Sequence, residues 1–292
     1  MKIDLHIHTS TGSDGTLTVE EVFQEARKRN IDFMSITDHD SLAGQAKATA
    51  LAGEYGIGYI SGVELNVTFQ LEPNWSISLD FLGYRFDSGN QQLKRKLELL
   101  RKYRETRARR ILAKLNIEFD KENIEKFTEE DIREIEVGVD GAFGRPHIAD
   151  YLVKRGIVSN RQEAFDRYLV RCNVPKFPLS PVEASSLVRN AGGIVVLAHP
   201  NDPNGTSLAK ISSDLDRQMN FIEKYMLKYI DGIECWHSRH DSKATAGYIG
   251  FAREHALLMT GGSDCHQKPI LLGTVAVPDY VAEQFELRND GT

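Results

Sequence analysis

Hydrophobic and polar residues alternate at the start of the chain. Over residues 3–8, aliphatic side chains at the odd positions alternate with Asp4, His6 and His8. Successive side chains of a β-strand point to opposite faces, so this pattern predicts a strand with one apolar face and two imidazoles side by side on the other. Two histidines at this spacing favour a metal site over unrelated surface histidines.

Further segments have the same form, an apolar strand that ends in polar and ionisable residues. They are Phe33–His39, Ile57–Glu64, Ile194–His199, Ile233–Trp236 and Leu257–His266. Helical patterns lie between them, and Thr18 followed by Glu20 and Glu21 marks the start of one that runs to Asn30. This alternation predicts a parallel α/β barrel, in which the chemistry collects at the carboxyl ends of the strands.

The alternation stops between residues 89 and 183, where long charged helical patterns replace it. We therefore expect a barrel domain of residues 1–88 and 184–292, with residues 89–183 inserted as a helical subdomain. Lys94–Lys114 contains ten Lys or Arg and two Glu, whereas Glu118–Glu136 is mostly acidic. Two interpretations stay open, a solvated helix hairpin with opposite charges facing each other and a rim that attracts phosphate.

Composition narrows the class of protein. The 292 residues, 41% of them hydrophobic, are enough for a large core, and a formal charge of -6 argues against general coating of nucleic acid. No apolar run approaches the length that spans a membrane, and the chain starts without the pattern of a signal peptide. Cys172, Cys235 and Cys265 are too few and too far apart for a disulfide framework, so we expect a cytoplasmic protein, with Cys265 packed rather than ligating.

Six short motifs follow one another, each at the end of a predicted strand or in the turn after it. They are Asp4–His8, Ser13–Gly15, Thr37–His39, Gly62–Glu64, Ala198–Pro200 and Gly262–His266. In this order they resemble the PHP (polymerase and histidinol phosphatase) superfamily of metal-dependent phosphoesterases over almost the whole chain. The resemblance implies a distorted parallel (β/α)7-type barrel that binds two to three divalent metal ions.

The resemblance also implies three groups of metal ligands. The first is His6, His8, Glu64 and Asp264, the second is Glu64, His199 and the residue at position 80, and the third is Asp14, His39 and His266. The family usually has histidine where this chain has Asp80, which leaves the identity or occupancy of the second metal open. Mixed imidazole and carboxylate ligands suit Mn, Zn, Fe and Mg, so the sequence does not choose among these metals.

The charges of these ligands agree with a phosphate substrate. Four carboxylates, Asp14, Glu64, Asp80 and Asp264, stand against six positive charges if three divalent ions bind. The surplus would attract a phosphate dianion, and such ions lower the pKa of bound water from ~15.7 towards ~7. We expect Asp4 and Asp38 either to orient imidazoles or to make ordinary turn and strand-end hydrogen bonds.

Substrate residues are implied by resemblance to the branch of the family that has a helical insertion. Its members are phosphatases of 3',5'-nucleoside bisphosphates and 5'-to-3' exonucleases on short RNA. The resemblance implies that Arg145 and His240 bind the substrate phosphate, and that His147 binds phosphate or acts with Asp264 in catalysis, as the general acid.

Other positions have weaker support. Where the branch usually has a lysine before a proline, this chain has Val174 and Pro175, with Lys176 after the proline. Lys176 is therefore expected either to reach a phosphate or to be solvated. His237 and His255 belong to no motif and are expected to be structural or surface residues.

The expected partner is a small phosphorylated substrate, most simply a nucleotide, or a short single-stranded RNA, with no membrane and no obligate protein partner. A histidinol-phosphate phosphatase is the alternative among enzymes of the family. A PHP scaffold without catalysis is an alternative of another class, and a metal-dependent amidohydrolase is a third, although no lysine is placed to bridge two metals.

Overall fold

The computed structural model describes residues 1–72, 75–137, 144–175, 177–204 and 206–286. Its strands are β1 (Ile3–Ile7), β2 (Phe33–Ile36), β3 (Gly58–Tyr59), β4 (Gly62–Glu72), β5 (Trp75–Tyr84), β6 (Ile194–Leu197), β7 (Gly232–His237) and β8 (Leu258–Gly262). Its α-helices are α1 (Val19–Lys28), α2 (Gln45–Tyr55), α3 (Gln91–Glu122), α4 (Glu129–Val137), α5 (Arg145–Lys154), α6 (Arg161–Ala164), α7 (Pro181–Asn190), α8 (Leu215–Tyr225), α9 (Ser242–Glu254) and α10 (Tyr280–Glu286). A π-helical turn (Phe165–Leu169) follows α6, and a short 3₁₀ helix (Leu208–Lys210) precedes α8.

The strands form two sheets, one parallel and one of mixed direction. The first has the order β1, β2, β3 and is parallel throughout. The second has the order β4, β5, β6, β7, β8, and in it β5 runs antiparallel to both of its neighbours. The prediction of an α/β protein is confirmed, but the prediction of a wholly parallel arrangement is wrong at β5. The cause is local, since β4 and β5 are consecutive and form a long hairpin instead of being joined by a crossover helix.

Backbone hydrogen bonds join the two sheets at both edges. Next to β1 and β8, the amide of Asp264 donates to the His6 carbonyl at 2.8 Å. Next to β2 and β4, the amide of Glu64 donates to the Asp38 carbonyl at 3.2 Å. Gly262 permits the first contact, because a Cβ at that position would lie 2.4 Å from the backbone nitrogen of His6. The carboxyl ends of β1, β2 and β8 and the first residues of β4 are therefore brought to one place.

The first helix begins where the sequence predicts. Thr18 accepts a hydrogen bond from the amide of Glu21 at 3.2 Å, and the Glu21 carboxylate accepts one from the amide of Thr18 at 2.8 Å. This reciprocal capping box satisfies amides that a helix start would otherwise leave without partners. Val22 and Phe23 of the same helix are buried against β1 and β2. The helix therefore fixes one side of the strand that carries the paired histidines.

The helices between β5 and β6 have a hydrophobic cluster of their own. This cluster takes residues from Ala108 to Val174, with Phe119 and Tyr168 fully buried at its centre. The start of α3 behaves differently, because Leu93, Leu97 and Leu100 pack against the strands instead. α3 is the longest of the described helices at 32 residues, but none of the described helices has the length and apolar character needed to cross a membrane.

Candidate active site

Side chains from three strands, β1, β4 and β8, meet at the carboxyl end of β1. His6 and His8 bring their Nε2 atoms within 3.1 Å of each other. Glu64 Oε2 lies 3.5 Å from His6 Nε2 and 3.2 Å from His8 Nε2. Asp264 Oδ1 lies 3.4 Å and 3.3 Å from the same two nitrogens. The structure thus brings together the first predicted group of ligands, with its polar atoms directed at one another.

The third predicted group lies beside the first. Asp14 Oδ1 is 3.4 Å from His266 Nε2 and 3.9 Å from His39 Nε2. The ring of His8 stacks on that of His266, with centroids 3.9 Å apart. His8 therefore lies between the two groups, and its ligand atom is close enough to those of Asp14, His39 and His266 for one metal ion to be shared.

The second predicted group is assembled only in part. His199 Nε2 lies 3.0 Å from Glu64 Oε1, and this pair with His6 forms a cluster that is compact enough for one ion. Asp80 Oδ2 is farther away, 3.8 Å from His199 Nε2. The other oxygen of Asp80 accepts a hydrogen bond from the Asn66 amide at 2.6 Å, because the two residues are opposite each other in the β4–β5 hairpin. Where the family usually has histidine, this chain thus has the shorter side chain of Asp80, which is bonded to Asn66 and lies at the edge of this group.

The clustered charges shift the pKa values of the ligands strongly. Burial favours the neutral form of Glu64, but the nearby imidazoles of His39 and His6 outweigh it and hold the pKa of Glu64 well below its usual range. Asp264 behaves in the same way beside His266 and His6. Conversely, burial lowers the pKa of His266, but Asp264 and Asp14 raise it to about 10. The carboxylates thus favour positive charge around them, which protons or divalent ions can supply.

Glu234 orients His6. It is fully buried in β7, and its Oε1 lies 3.0 Å from His6 Nδ1 while its Oε2 accepts a hydrogen bond from the amide of His199 at 2.7 Å. A carboxylate can only accept, so Nδ1 of His6 carries the proton and the lone pair of neutral His6 is on Nε2, facing Glu64 and Asp264. Glu234 was not among the site residues predicted from the sequence. Its signal was a single acidic residue between Ile233 and Cys235 in an otherwise apolar strand.

Asp4 and Asp38 instead hold the backbone. Asp4 accepts from the amides of Ser263 at 2.9 Å and Gly273 at 2.7 Å, and Asp38 accepts from the amide and the hydroxyl of Thr9 at 2.6 and 2.7 Å. Burial raises the pKa of Asp38 to about 6. Of the two roles predicted for these residues, the contacts favour the turn and strand-end hydrogen bonds.

His237 lies inside the site, contrary to the expectation of a structural or surface residue. Its Nε2 is 3.5 Å from Asp264 Oδ2, and its ring is buried. However, Nδ1 accepts a hydrogen bond from the amide of Arg239 at 3.2 Å, so the proton of the neutral ring is on Nε2. A protonated Nε2 has no lone pair for a metal. His237 is therefore suited to donate a hydrogen bond to Asp264 and not to be a further ligand.

The backbone is unusual at two of the clustered residues. His199 has φ of 24° and Asp264 has φ of 53°, in a region that residues other than glycine seldom adopt. Such strain persists only where the surroundings fix it, and it is frequent at functional sites. Here the Glu234 carboxylate holds the amide of His199, and the His6 carbonyl holds that of Asp264.

The donor set fits divalent metal ions. Asp264 Oδ1 is buried and has no hydrogen-bond partner, although it lies within 3.4 Å of Nε2 of His6 and of His8. A buried carboxylate oxygen without a hydrogen bond, beside two imidazole nitrogens, is costly unless a cation lies among them. Imidazole and carboxylate together suit Mn, Fe or Zn.

A cavity of about 190 Å³ adjoins this cluster on the side of the helices. Asp14 and His39 line one wall, and Arg145 and His147 at the start of α5 line another. His147 Nδ1 accepts from the amide of Gly144 at 3.1 Å, which leaves Nε2 of the neutral ring as a donor. Burial lowers the pKa of His147. The structure thus brings these two predicted substrate residues to the side chains predicted to bind metal.

His240 is placed differently. Its Nδ1 donates to the Cys235 carbonyl at 3.1 Å, and its Nε2 accepts from the amide of Asn201 at 3.2 Å. Burial lowers the pKa of the ring to about 4, so it stays neutral, with both nitrogens occupied by backbone. These contacts leave no donor for a phosphate, which argues against the predicted role. Lys176 lies outside the described residues, and His255 packs on Phe251 with ring centroids 4.2 Å apart.

Comparison with known proteins gives consistent results. The PHP domain matches residues 4–172. A 5'-3' exoribonuclease of Haemophilus influenzae is 33% identical over 207 residues, which cover 68% of this chain and 69% of the relative. A 3',5'-nucleoside bisphosphate phosphatase of Chromobacterium violaceum is 29% identical over 288 residues, which cover 90% and 87%. A Bifidobacterium adolescentis structure described as a metal-dependent phosphoesterase superposes with a TM-score of 0.80 at 29% identity, and the match covers 98% of this chain and 96% of that one.

Proposed function

The chain belongs to the PHP domain family, and on that premise we propose that it hydrolyses a phosphoester of a nucleotide. It would either remove a phosphate from a 3',5'-nucleoside bisphosphate or trim a short RNA from its 5' end. It is a metal-dependent phosphoesterase, in agreement with the names of its relatives and of its structural neighbour. The observation that supports a nucleotide is the position of Arg145 and His147, which share a cavity with Asp14 and His39.

We assign the metal ions to the clustered side chains. His6, His8, Glu64 and Asp264 would hold one, Asp14, His39 and His266 a second, and Glu64 with His199 a third, with Asp80 at its edge. Bound there, such ions would supply an activated water and neutralise the charge of the phosphate. Glu234 serves these ions indirectly, because it keeps the lone pair of His6 on Nε2.

The number of buried carboxylates limits how much charge is left for substrate. Glu234 adds a fifth to the four predicted ones, and it is paired with His6. Three divalent ions against five carboxylates would leave one positive charge, less than the sequence alone suggests. A phosphate dianion therefore needs cations from elsewhere, and Arg145 is the residue placed to provide one. His147 contributes an Nε2–H donor, suited to a phosphate oxygen or to the leaving oxygen.

We also propose the finer features of the fold. The edge contacts from β1 to β8 and from β2 to β4 support a closed, distorted (β/α)7-type barrel with β3 and β4 as one bent strand. Residues 89–183 form the helical insertion and residues 1–88 with 184–292 form the barrel. The insertion supplies Arg145 and His147, so its proposed role is to cover the substrate.

Phosphate release tests the proposal. The manganese-loaded and zinc-loaded protein is assayed with adenosine 3',5'-bisphosphate, both adenosine monophosphates, a 5'-phosphorylated RNA oligomer, histidinol phosphate and an anilide. Wild type is compared with Asp264→Ala and with the exposed control Asp216→Ala. Release from a nucleotide or from RNA that only Asp264→Ala abolishes is the expected result. Turnover of histidinol phosphate or the anilide alone would refute the nucleotide proposal, and no turnover with no bound metal would favour a scaffold.

A further inference from the structure

The cavity beside the predicted metal ligands is lined by more arginine side chains than the binding of one phosphate requires. Arg104 and Arg107 of α3 line it together with Arg145 of α5. The sequence showed only that α3 begins with a basic run, for which a solvated helix was one interpretation. Arg107 is not solvated, since only 6% of its surface is exposed. A buried guanidinium needs a function or a set of partners that offsets the loss of its water.

The carboxylates on this cavity neutralise only part of the charge of these guanidinium groups. Among the described residues that line it, the acidic ones are Asp14 and Asp40. Asp40 forms an ion pair with Arg104, and Asp14 belongs to the histidine cluster. Burial and the charges of Arg145 and Arg104 together lower the pKa of Arg107 to about 10. The cavity therefore holds a surplus of positive charge that an anion would relieve.

Arg107 is held in place by the loop after the π-helical turn. Its Nε donates to the Val174 carbonyl at 2.5 Å, and its Nη2 donates to the side chain of Asn173 at 2.8 Å. This is the loop in which the chain has Val174 and no lysine before Pro175. Among the residues that the structure describes, these bonds use two of the five N–H groups of Arg107, and Arg107 also lines the cavity, so further N–H groups are available to a ligand there.

Aromatic rings complete the walls. Tyr103, Phe165 and Phe177 line the same cavity, and the guanidinium of Arg145 lies 5.3 Å from the ring centre of Phe165. Tyr103 and Phe177 contact each other edge to face, with centroids 5.3 Å apart. Rings beside guanidinium groups suit a ligand that combines a flat apolar ring with an anion, because the ring stacks while the anion accepts hydrogen bonds.

We infer that this cavity binds a second phosphate of the substrate, one that is not hydrolysed, through Arg107 and Arg104, and that it selects nucleotides with two phosphates. The inference rests on the proposed function, because the first phosphate is the one that lies at the metal ligands. Arg145 lines the same cavity and is the residue assigned to the first phosphate. A further cleft of about 1050 Å³ shares Tyr103, Arg107 and Arg145 with this cavity, so the bound nucleotide has an open path to solvent.

The test compares substrates with one and two phosphates. Values of kcat/KM are measured with the manganese-loaded enzyme for adenosine 3',5'-bisphosphate and for adenosine 3'- and 5'-phosphate. The variants are Arg107→Gln, Arg107→Lys, Arg104→Gln and the matched control Arg110→Gln, which changes an exposed arginine of the same helix. Thermal unfolding checks the fold of each, and Arg104→Gln decides the question if Arg107→Gln does not fold.

We expect wild type to prefer the bisphosphate over the better monophosphate by about tenfold or more, the size of one charged hydrogen-bonded contact. Arg107→Gln should lose most of that preference, because its kcat/KM should fall further for the bisphosphate than for either monophosphate. Arg107→Lys should keep part of the preference, Arg104→Gln should lower it, and Arg110→Gln should leave it unchanged.

Two outcomes would overturn the inference. One is equal use of the bisphosphate and the monophosphates by wild type, which leaves the proposed function intact. The other is a preference that neither Arg107→Gln nor Arg104→Gln lowers. If no nucleotide is hydrolysed at all, the proposed function fails. Calorimetric titration of the same three nucleotides into manganese-loaded wild type and Arg107→Gln then decides the inference, because wild type should bind the bisphosphate more tightly than the monophosphates and Arg107→Gln should lose most of that preference.

Discussion

Glu234→Gln should weaken metal binding although Glu234 contacts no predicted substrate residue. The Glu234 carboxylate is an acceptor on both sides, with His6 Nδ1 at 3.0 Å and the amide of His199 at 2.7 Å. A glutamine of the same shape has one oxygen and one NH₂ group. If its oxygen accepts from the amide of His199, its NH₂ faces Nδ1 of His6, and the proton of His6 moves to Nε2. His6 then has no lone pair where the metal would bind.

The expected fall in metal affinity follows from the contact between Glu234 and His6 that the substitution removes. A hydrogen bond to a charged group contributes about 1.5–3 kcal/mol, and a partner that orients a metal-bound histidine contributes about 10- to 100-fold in affinity. Glu234 is fully buried, so water cannot take its place. We therefore expect the affinity for the most tightly bound metal to fall by about 10- to 100-fold.

Competition with a fluorescent chelator measures that affinity directly, without reference to turnover. Glu223→Gln, on the exposed side of α8, is the matched control and should bind metal like wild type. Mass spectrometry of the native protein counts the bound ions. An affinity of Glu234→Gln within about twofold of wild type, at unchanged stoichiometry, would show that the tautomer of His6 is not set by this carboxylate.

Three further predictions concern other parts of the molecule. Gly262→Ala should lower the free energy of unfolding, measured by urea titration, by about 1–3 kcal/mol, because the new Cβ would lie 2.4 Å from the backbone nitrogen of His6. Unchanged stability would contradict the close approach of β8 to β1. His240→Ala should lower the melting temperature but change KM for a nucleotide by less than about threefold, since both ring nitrogens bind backbone; a tenfold rise in KM would restore the phosphate-binding role. Asp131→Asn should lower the free energy of unfolding by about 1–3 kcal/mol at pH 6. Burial alone would raise the pKa of Asp131, but hydrogen bonds from Thr128 and Tyr151 and the charge of Arg155 outweigh burial and lower the pKa from 3.8 to about 2. A carboxylate whose pKa is lowered by folding stabilises the fold at pH values above its ordinary pKa. The difference in free energy of unfolding between wild type and Asp131→Asn, measured with urea, should therefore shrink as the pH falls from about 4 to about 2. A difference that does not change with pH would refute this prediction.

The site shows how far local sequence reaches. Alternation at Asp4, His6 and His8 was enough to predict a strand with two imidazoles on one face, because side-chain direction in a strand depends only on residue parity. The polar ends of the following strands indicated Glu64 and Asp264, since parallel strands present their carboxyl ends at one edge. These side chains do converge within a few ångströms.

What the sequence could not supply depends on contacts between distant residues. Glu234 and His6 are 228 positions apart, and nothing local indicates that one fixes the proton of the other. His237 and His240 are both histidines in one short segment, yet backbone amides at Arg239 and Asn201 occupy different nitrogens and assign them different roles.

The same limit applies to the basic run of α3. Its charges could have faced water or a ligand, and a helix of that composition is stable in either case. Packing decided the outcome, because the chain folds Arg107 against the loop at Val174 and turns Arg104 towards Asp40. Periodicity determined which residue types share a face, whereas partners, protonation and the direction of buried charge were decided only where separate elements meet.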